Sequence, residues 1–197
     1  MRERYTSIAI ALHWILALGI LLQIGLGAFL NEVPSGTPAR SAWVNFHKSI
    51  GITLAALILV RVAWRLTHPA PPLPGATPAW QRAAAHVNHA LLYVCMLGMP
   101  LTGYVATNFS RFGIKYFNLV LLPPWGHDDK RVYAAFNGAH KILALVFVGL
   151  ILLHVAAALK HALFERDGLM RRMWPGRGLL ARTPAGGLVG PPGDPHP

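Results

Sequence analysis

Long apolar runs separated by polar segments dominate the chain. Four of them reach the length of about 20 predominantly apolar residues that spans a bilayer as a helix. They cover Ile8–Leu30, Val44–Leu66, Ala83–Ala106 and Ala134–Phe164. The second run is the least uniform because Lys48 and Arg61 lie near its two ends, but long basic side chains can extend to the interface from there. We therefore predict an all-α integral membrane protein, an up-and-down bundle of four helices.

The composition also indicates a lipid environment. The 197 residues are 54% hydrophobic and only 13% charged, whereas soluble domains are about 25% charged. The net charge of +11 could suggest nucleic acid, but the basic residues are dispersed and flank the apolar runs, which favours lipid headgroups. The single cysteine, Cys95, excludes an internal disulfide, a CxxC motif and a cysteine-ligated iron–sulfur cluster. Any electron carrier must have other ligands.

The four runs form one predicted domain, residues 1–174. A glycine- and proline-rich tail, residues 175–197, is expected to be disordered. Arg2 and Arg4 precede an apolar run that is too long for a signal peptide, and no A-x-A site follows, so we expect a mature helix. The prolines of Thr67–Ala79 predict a stiff, non-helical linker. The loop Thr107–Val132 is expected to lie along the membrane surface and to contain a short amphipathic helix.

Basic residues are distributed unequally between the two sides of the predicted bundle. With four spans, both termini lie on one side, which then has eleven of the 18 Lys and Arg residues, while the other side has seven. The positive-inside rule therefore predicts that both termini, the linker and the tail are cytoplasmic.

Four histidines fall at two matching depths. His140 and His154 are fourteen residues apart, which is about four turns, or roughly 21 Å, along one face of helix four. His13 lies near the inner end of helix one and His47 near the outer end of helix two. The up-and-down path therefore pairs His13 with His154 and His47 with His140. Polar groups inside a membrane usually face the bundle interior, so both pairs are predicted to point inward.

Each pair suits the two axial positions of a planar b-type haem. Arg61, fourteen residues after His47, returns to that face at the inner level, where it could bind a haem propionate. Gly27, fourteen residues after His13, reaches the outer level, where it could give clearance to a porphyrin edge. The alternatives are polar contacts between helices for the histidines, an interfacial anchor for Arg61 and close helix packing for Gly27. Zinc is disfavoured because a tetrahedral site needs about four ligands around one ion.

Four further residues are candidates for a quinone site beside the inner haem. His161 continues the stripe of His154 to the cytoplasmic edge, and His86 and His89 open helix three on the same side, on adjacent turns. Histidine can both hydrogen-bond a quinone and supply a proton. Trp14 could be a wall of this site, although interfacial or core packing is the more usual role of a membrane tryptophan.

The order and spacing of these motifs resemble the bacterial cytochrome b561 family over nearly all of Arg4–Trp174. The matching segments are "SIAIALHWILALGILL", "FHKSIGITLAALILVRVAWRL", "AHVNHALLYVCMLGMPLTGY" and "HKILALVFVGLILLHVAAALKH". The resemblance implies a four-helix, di-haem b-type cytochrome of the bacterial inner membrane. The haem ligands that the resemblance implies are His13, His47, His140 and His154. One branch is similar to superoxide oxidases, which pass electrons from periplasmic superoxide to ubiquinone. Related cytochrome b subunits of hydrogenases and formate dehydrogenases relay electrons for a partner enzyme.

Two functions follow as hypotheses. The first is a superoxide:ubiquinone oxidoreductase-type enzyme, in which outer basic residues steer superoxide toward the outer haem; the candidates are Arg111, Lys115, Lys130, Arg131 and Lys141. Asp128 and Asp129 weaken that positive surface. The second is a relay subunit whose partner dehydrogenase or soluble donor docks on Tyr116, Phe117 and Trp125. A membrane scaffold whose histidines only join helices is a third interpretation, and it predicts no haem absorbance.

Overall fold

The computed structural model describes residues 4–72 and 77–175 and is built on four long helices. They are α1 (Ser7–Glu32), α2 (Pro38–Thr67), α3 (Ala79–Asn108) and α4 (Lys130–Lys160). Each helix is long and apolar enough to cross a membrane. α4 continues into a π-helical turn, His161–Glu165, and a 3-10 turn, Met170–Arg172, follows. The predicted all-α membrane fold with four spans is confirmed. The predicted tail lies outside the described residues beyond Pro175.

Side-chain caps define where three of the helices begin. The Thr6 hydroxyl accepts from the Ala9 N–H at the start of α1, and the Thr37 hydroxyl accepts from the Arg40 N–H at the start of α2. Asp129 accepts from two N–H groups in the first turn of α4. Such caps satisfy donors that have no partner within the helix, so the breaks between the apolar runs are set by short polar residues.

The helices form two helical hairpins, α1–α2 and α3–α4, and in each a glycine lies at a close contact between the two helices. A Cβ added at Gly19 of α1 would lie 2.6 Å from a methyl carbon of Leu54 in α2. A Cβ added at Gly98 of α3 would lie 2.8 Å from Leu143 in α4. The tightest apolar core lies between α1 and α2 and includes Leu16, Leu54 and Ile58. Small residues at these positions let the helix backbones approach closely, as is usual in membranes.

The α1–α2 and α3–α4 hairpins join mainly through α2 and α3. Over the described residues, α4 does not pack closely against α1 or α2, and the surfaces that face each other there carry the histidines. The outer surface is apolar, with side chains such as Leu18 and Leu145 largely exposed. Such exposure is expected for helices that have lipid rather than water around them.

The connection between α3 and α4 contains a β-hairpin, so the amphipathic helix predicted there is wrong. The strands are β1 (Ile114–Tyr116) and β2 (Val120–Leu122), antiparallel, with Ile114 opposite Leu122. Phe117 and Asn118 in the turn have φ of 46° and 61°. The hairpin lies against α2, so the loop does run along the bundle rather than away from it.

Contacts between sequence-distant segments show which ends of the helices lie together. Arg4 donates to the carbonyl of Trp174 over 3.0 Å, and Arg172 donates to the carbonyl of Pro72 over 2.7 Å. The start of α1, the residues after α2 and the residues after α4 therefore meet at one end of the bundle, which we call the termini end. The β-hairpin lies at the opposite end, which we call the far end.

Candidate functional site

The termini end contains a pair of histidines on facing helices. The ring centres of His13 in α1 and His154 in α4 lie 6.2 Å apart, with the ring planes at 68°. Both side chains are half-buried. The pairing predicted from helix depth is therefore the pairing that the structure contains.

The far end contains a second pair with nearly the same geometry. The ring centres of His47 in α2 and His140 in α4 lie 6.4 Å apart, with the planes at 83°. Because His140 and His154 lie on one helix, the two pairs are stacked along the bundle, roughly 21 Å apart by helical rise. The stacking predicted from helical rise is therefore present in the structure.

The spacing of the rings fits a metal held between them. A bond of about 2 Å from a metal to an imidazole nitrogen, plus about 1.1 Å from that nitrogen to its ring centre, puts two opposed rings about 6 Å apart. Both pairs have this spacing. The helices that carry each pair do not pack closely against each other over the described residues, as a flat macrocycle between them would require. The donor set of two neutral imidazoles is the one that b-type haem iron accepts.

His140 is oriented by the helix beside it. Its Nδ1 donates to the Met99 carbonyl over 3.0 Å, and the Thr102 hydroxyl lies 3.2 Å from the same nitrogen. A Cβ added at Gly103 would lie 3.2 Å from the ring. The proton is therefore kept on Nδ1, and Nε2 is left as the ligand atom. We had not predicted these α3 residues, since only the contact between the helices identifies them.

His47 lies next to the predicted glycine. A Cβ added at Gly27 would meet only the His47 ring, at 3.7 Å, which is an ordinary van der Waals distance. Close packing between protein atoms therefore does not require a glycine at this position. Among the described residues, the buried Nδ1 of His47 has no hydrogen-bond partner. Buried polar atoms normally have partners, so this imidazole is incompletely satisfied by protein alone.

Arg61 lies at the termini-end pair, at the level its spacing predicts. Its guanidinium is 3.4 Å from Nδ1 of His13 and 3.3 Å from the carbonyl of Ala9. No carboxylate forms an ion pair with it in the part of the chain that the structure describes. A half-buried cation with only neutral partners is suited to an added anion.

Three of the four quinone-site candidates separate into two groups. His89 lies at the termini-end pair, with its ring centre 5.3 Å from that of His154. Trp14 packs edge-on against His13 and donates its indole N–H to the Met173 carbonyl over 2.8 Å. His86 is exposed and its Nδ1 contacts the carbonyl of Arg82, one turn earlier. The structure thus brings His89 and Trp14 to the pair but leaves His86 at the surface.

His161 is held in a polar cluster beyond the termini-end pair. Its Nδ1 lies 2.5 Å from a Glu165 carboxylate oxygen and 2.7 Å from an Asp167 carboxylate oxygen. Lys160 pairs with the other oxygen of Glu165 over 2.7 Å. Within the described ranges, one group of His, Cys, Asp and Glu side chains is close enough to share a metal ion, and it consists of His161, Glu165 and Asp167. Neither histidine pair forms such a group, which disfavours the zinc alternative there.

The predicted superoxide-steering residues are all exposed and all lie toward the far end: Arg111, Lys115, Lys130, Arg131 and Lys141. Asp129 is engaged as the α4 cap, so part of its charge is offset by helix N–H groups. The structure adds Lys48 at this end. The Lys48 ammonium donates to the carbonyl of Gly113, just before β1, over 3.2 Å.

Known proteins similar to this chain cover nearly its whole length. A model of the family described as prokaryotic cytochrome b561 matches residues 4–176. Cytochrome b561 homolog 2 of Escherichia coli (strain K12) is 32% identical over 173 residues, or 87% of this chain and 91% of that protein. Cytochrome b561 homolog 1 of the same organism is 26% identical over 175 residues, or 89% of this chain and 99% of that protein.

A further relative carries an activity in its name. The probable superoxide oxidase CybB of Yersinia pestis is 27% identical over 179 residues, which are 89% of this chain and 98% of that protein. The fold, the length of the matches and the family model agree. This chain belongs to the prokaryotic cytochrome b561 family and is a multi-pass bacterial membrane cytochrome of electron transfer, a membership that implies haem b as its cofactor.

Proposed function

We propose that this protein binds two haem b groups and carries electrons across the bacterial inner membrane from a periplasmic donor, superoxide, to ubiquinone. The observation that carries the proposal is the presence of two histidine pairs with ring centres 6.2 and 6.4 Å apart, one at each end of the bundle. A single pair would serve one side of the membrane, whereas two stacked pairs connect both sides.

In this proposal, His13 and His154 hold one iron and His47 and His140 hold the other. Bound haem supplies one-electron chemistry that no side chain of the protein provides. Met99 and Thr102 hold His140 in the tautomer that ligates through Nε2. Gly27 gives clearance beside His47. The protein thus supplies ligands, ring orientation and space.

Arg61 has the role of a counter-cation at the termini end. A guanidinium can only donate, so in its contact with His13 the Nδ1 atom accepts. Iron binding through Nε2 needs the proton on Nδ1. Arg61 would hold an anionic propionate through its guanidinium, and His13 Nδ1 would then be free to carry the proton. Arg61 therefore links propionate binding to the tautomer of His13, one of the proposed iron ligands.

The distribution of charge sets the proposed orientation. Counted along the chain, the side of the membrane that carries both termini has eleven of the 18 Lys and Arg residues, which favours the cytoplasm for the termini end. The far end then faces the periplasm, where its five exposed basic residues would attract an anionic donor. The Yersinia pestis relative named as a probable superoxide oxidase supports superoxide as that donor.

Ubiquinone would be reduced at the termini end, near His161. Quinone reduction consumes protons, and the two carboxylates against His161 Nδ1 are exposed enough to exchange protons with water. His161 can then donate to a quinone oxygen from its other nitrogen. Trp14 contacts the His13 ring and His89 contacts the His154 ring, which supports them as walls of a quinone site beside the ligand pair.

The test is stopped-flow reduction of the purified protein by superoxide, with and without ubiquinone. We expect fast reduction, followed by reoxidation that depends on ubiquinone. The triple variant Lys115→Gln, Lys130→Gln, Lys141→Gln should be reduced up to about tenfold more slowly, with a weaker dependence on salt. The matched control, Arg65→Gln, Arg82→Gln, Arg171→Gln, removes the same charge from the termini end and should be reduced at the wild-type rate.

The alternative function is a relay for a partner dehydrogenase or soluble donor. The observation that favours it is the exposed apolar surface around the hairpin, where Leu119 is 83% and Trp125 62% exposed. Exposed aromatic and apolar side chains are typical of a docking surface. Slow reduction by superoxide that is the same in wild type and in the far-end triple variant would favour the relay over the oxidase.

A further inference from the structure

Two basic side chains lie within the bundle, one beside each histidine pair. Arg61 contacts His13 at the termini end. Lys48 directly follows His47 in α2, at the far end. Both side chains are half-buried, unlike the five exposed basic residues of the far end. This arrangement gives each pair one interior cation.

Lys48 has no acidic partner in the part of the chain that the structure describes. The ion pairs found there involve Lys160 and His161 alone among the basic residues. One hydrogen of the Lys48 ammonium is used, by the Gly113 carbonyl, although an ammonium has three. Holding a half-buried cation against a single neutral acceptor is unfavourable compared with pairing it with an anion.

Attachment of the β-hairpin does not explain why this residue is charged. Asn45 accepts from the Lys115 N–H, and Ser49 accepts from the Phe117 N–H over 2.7 Å. The Thr53 hydroxyl is bonded to the Tyr116 hydroxyl over 2.9 Å. These neutral groups lie on the α2 face that carries Lys48, and they already join the helix to the hairpin. A further neutral side chain could bind the Gly113 carbonyl equally well.

We infer that Lys48 binds a carboxylate of the tetrapyrrole at the far-end pair, as the counterpart of Arg61 at the termini end. The inference rests on the proposed haem at that pair. Lys48 is thereby a positioning residue that also tunes the reduction potential of the far-end iron, because a nearby positive charge stabilises the form that has gained an electron. The exposed lysines are screened by water and salt and lack this effect.

The experiment is a potentiometric titration of the purified, haem-loaded protein, followed by visible absorbance. With two haems, the titration should contain two redox waves. The single-ligand variants His140→Ala and His154→Ala assign each wave to one end of the bundle. Lys48→Gln and Lys48→Met should lower the midpoint of the far-end wave and leave the other unchanged. Lys48→Arg, which keeps the charge, should stay at the wild-type midpoint. Lys115→Gln is the matched control, since it removes one exposed charge from the same end.

Several results would overturn the inference. The first is a far-end midpoint that is unchanged in both Lys48→Gln and Lys48→Met. The second is a shift of both waves by the same amount in these variants. The third is a far-end shift in Lys115→Gln as large as that in Lys48→Gln. Thr53→Val loosens the hairpin without changing charge. If it shifts the far-end wave as much as Lys48→Gln does, the hairpin rather than the cation sets the potential, which also contradicts the inference. A protein without haem would instead overturn the proposed function, which a pyridine haemochrome spectrum detects separately.

Discussion

Nδ1 of His140 donates a hydrogen bond to the main-chain carbonyl of Met99 over 3.0 Å, across the contact between α3 and α4. Because the acceptor is main chain, no side-chain substitution at position 99 removes it. Thr102 lies 3.2 Å from the same nitrogen and also contacts the carbonyls of Gly98 and Met99. One proposed haem ligand is therefore positioned by the backbone of a helix that carries no proposed ligand itself.

The Thr102 contact predicts a modest effect on the far-end haem. Thr102→Val removes the hydroxyl but leaves the Met99 carbonyl, so the effect should be below the ten- to hundredfold typical when a metal-bound histidine loses its orienting partner. We expect haem to leave the far end about threefold faster, measured as transfer to excess apomyoglobin. Thr67→Val, at the end of α2 away from both pairs, is the control and should match wild type. Equal loss from both ends in Thr102→Val would contradict this role.

Gly27 distinguishes clearance for haem from packing between helices. An added methyl at this position meets only the His47 ring, at an ordinary 3.7 Å, so Gly27→Ala should leave the apoprotein fold intact. If a porphyrin edge passes there, the same variant should lose far-end haem. The measurement is haem per protein by pyridine haemochrome, with helicity by circular dichroism. Gly138→Ala, which meets no atom within 4 Å, is the control. Full haem content in Gly27→Ala would contradict a clearance role.

The two pairs should be separable by mutation. His154→Ala should reduce the haem content from two per chain to one and abolish ubiquinone-dependent reoxidation, while reduction by superoxide continues. His140→Ala should also leave one haem, but reduction by superoxide should be lost. The readouts are haem stoichiometry and stopped-flow absorbance. If both variants lose both haems, the pairs do not bind independently, and the separation of donor and acceptor ends is contradicted.

Asp167, one of the two carboxylates against His161, predicts a defect confined to the quinone reaction. Asp167→Asn keeps the shape of the side chain but removes the charge that lies 2.7 Å from His161 Nδ1. We expect ubiquinone-dependent reoxidation to slow by about tenfold, less than the hundredfold or more that a positioned proton donor contributes, because His161 and Glu165 remain. Reduction by superoxide should be unchanged. Asp128→Asn, at the far end, is the matched control. An unchanged reoxidation rate in Asp167→Asn would place proton delivery elsewhere.

The helices and the pairing of histidines were predictable because both depend on properties that a linear sequence contains. Apolar length marks a bilayer span, and fixed helical rise converts residue number into depth. His13 and His154 could therefore be paired without coordinates. Arg61 was placed at the correct level by the same arithmetic.

The residues that surround the ligands were harder to predict from the sequence. Thr102 and Gly103 act through contacts between α3 and α4, and the rotation of one helix against another is not readable from hydropathy. The loop Thr107–Val132 was predicted to contain an amphipathic helix because its aromatic and charged residues suit one. The turn of the hairpin that it forms instead contains Phe117 and Asn118 at positive φ rather than a glycine. Lys48 was expected to extend to the interface, but in the folded chain it lies beneath that hairpin.

The presence of His140 and His154 on one continuous helix restricts how this protein can change in length. Each residue added to an α-helix rotates all that follows by about 100°. A single insertion or deletion between the two histidines would therefore turn one of them away from its partner on α1 or α2. Length changes in the loops carry no such penalty. We expect α4 to tolerate many apolar exchanges between residues 141 and 153, but no insertion or deletion of one residue.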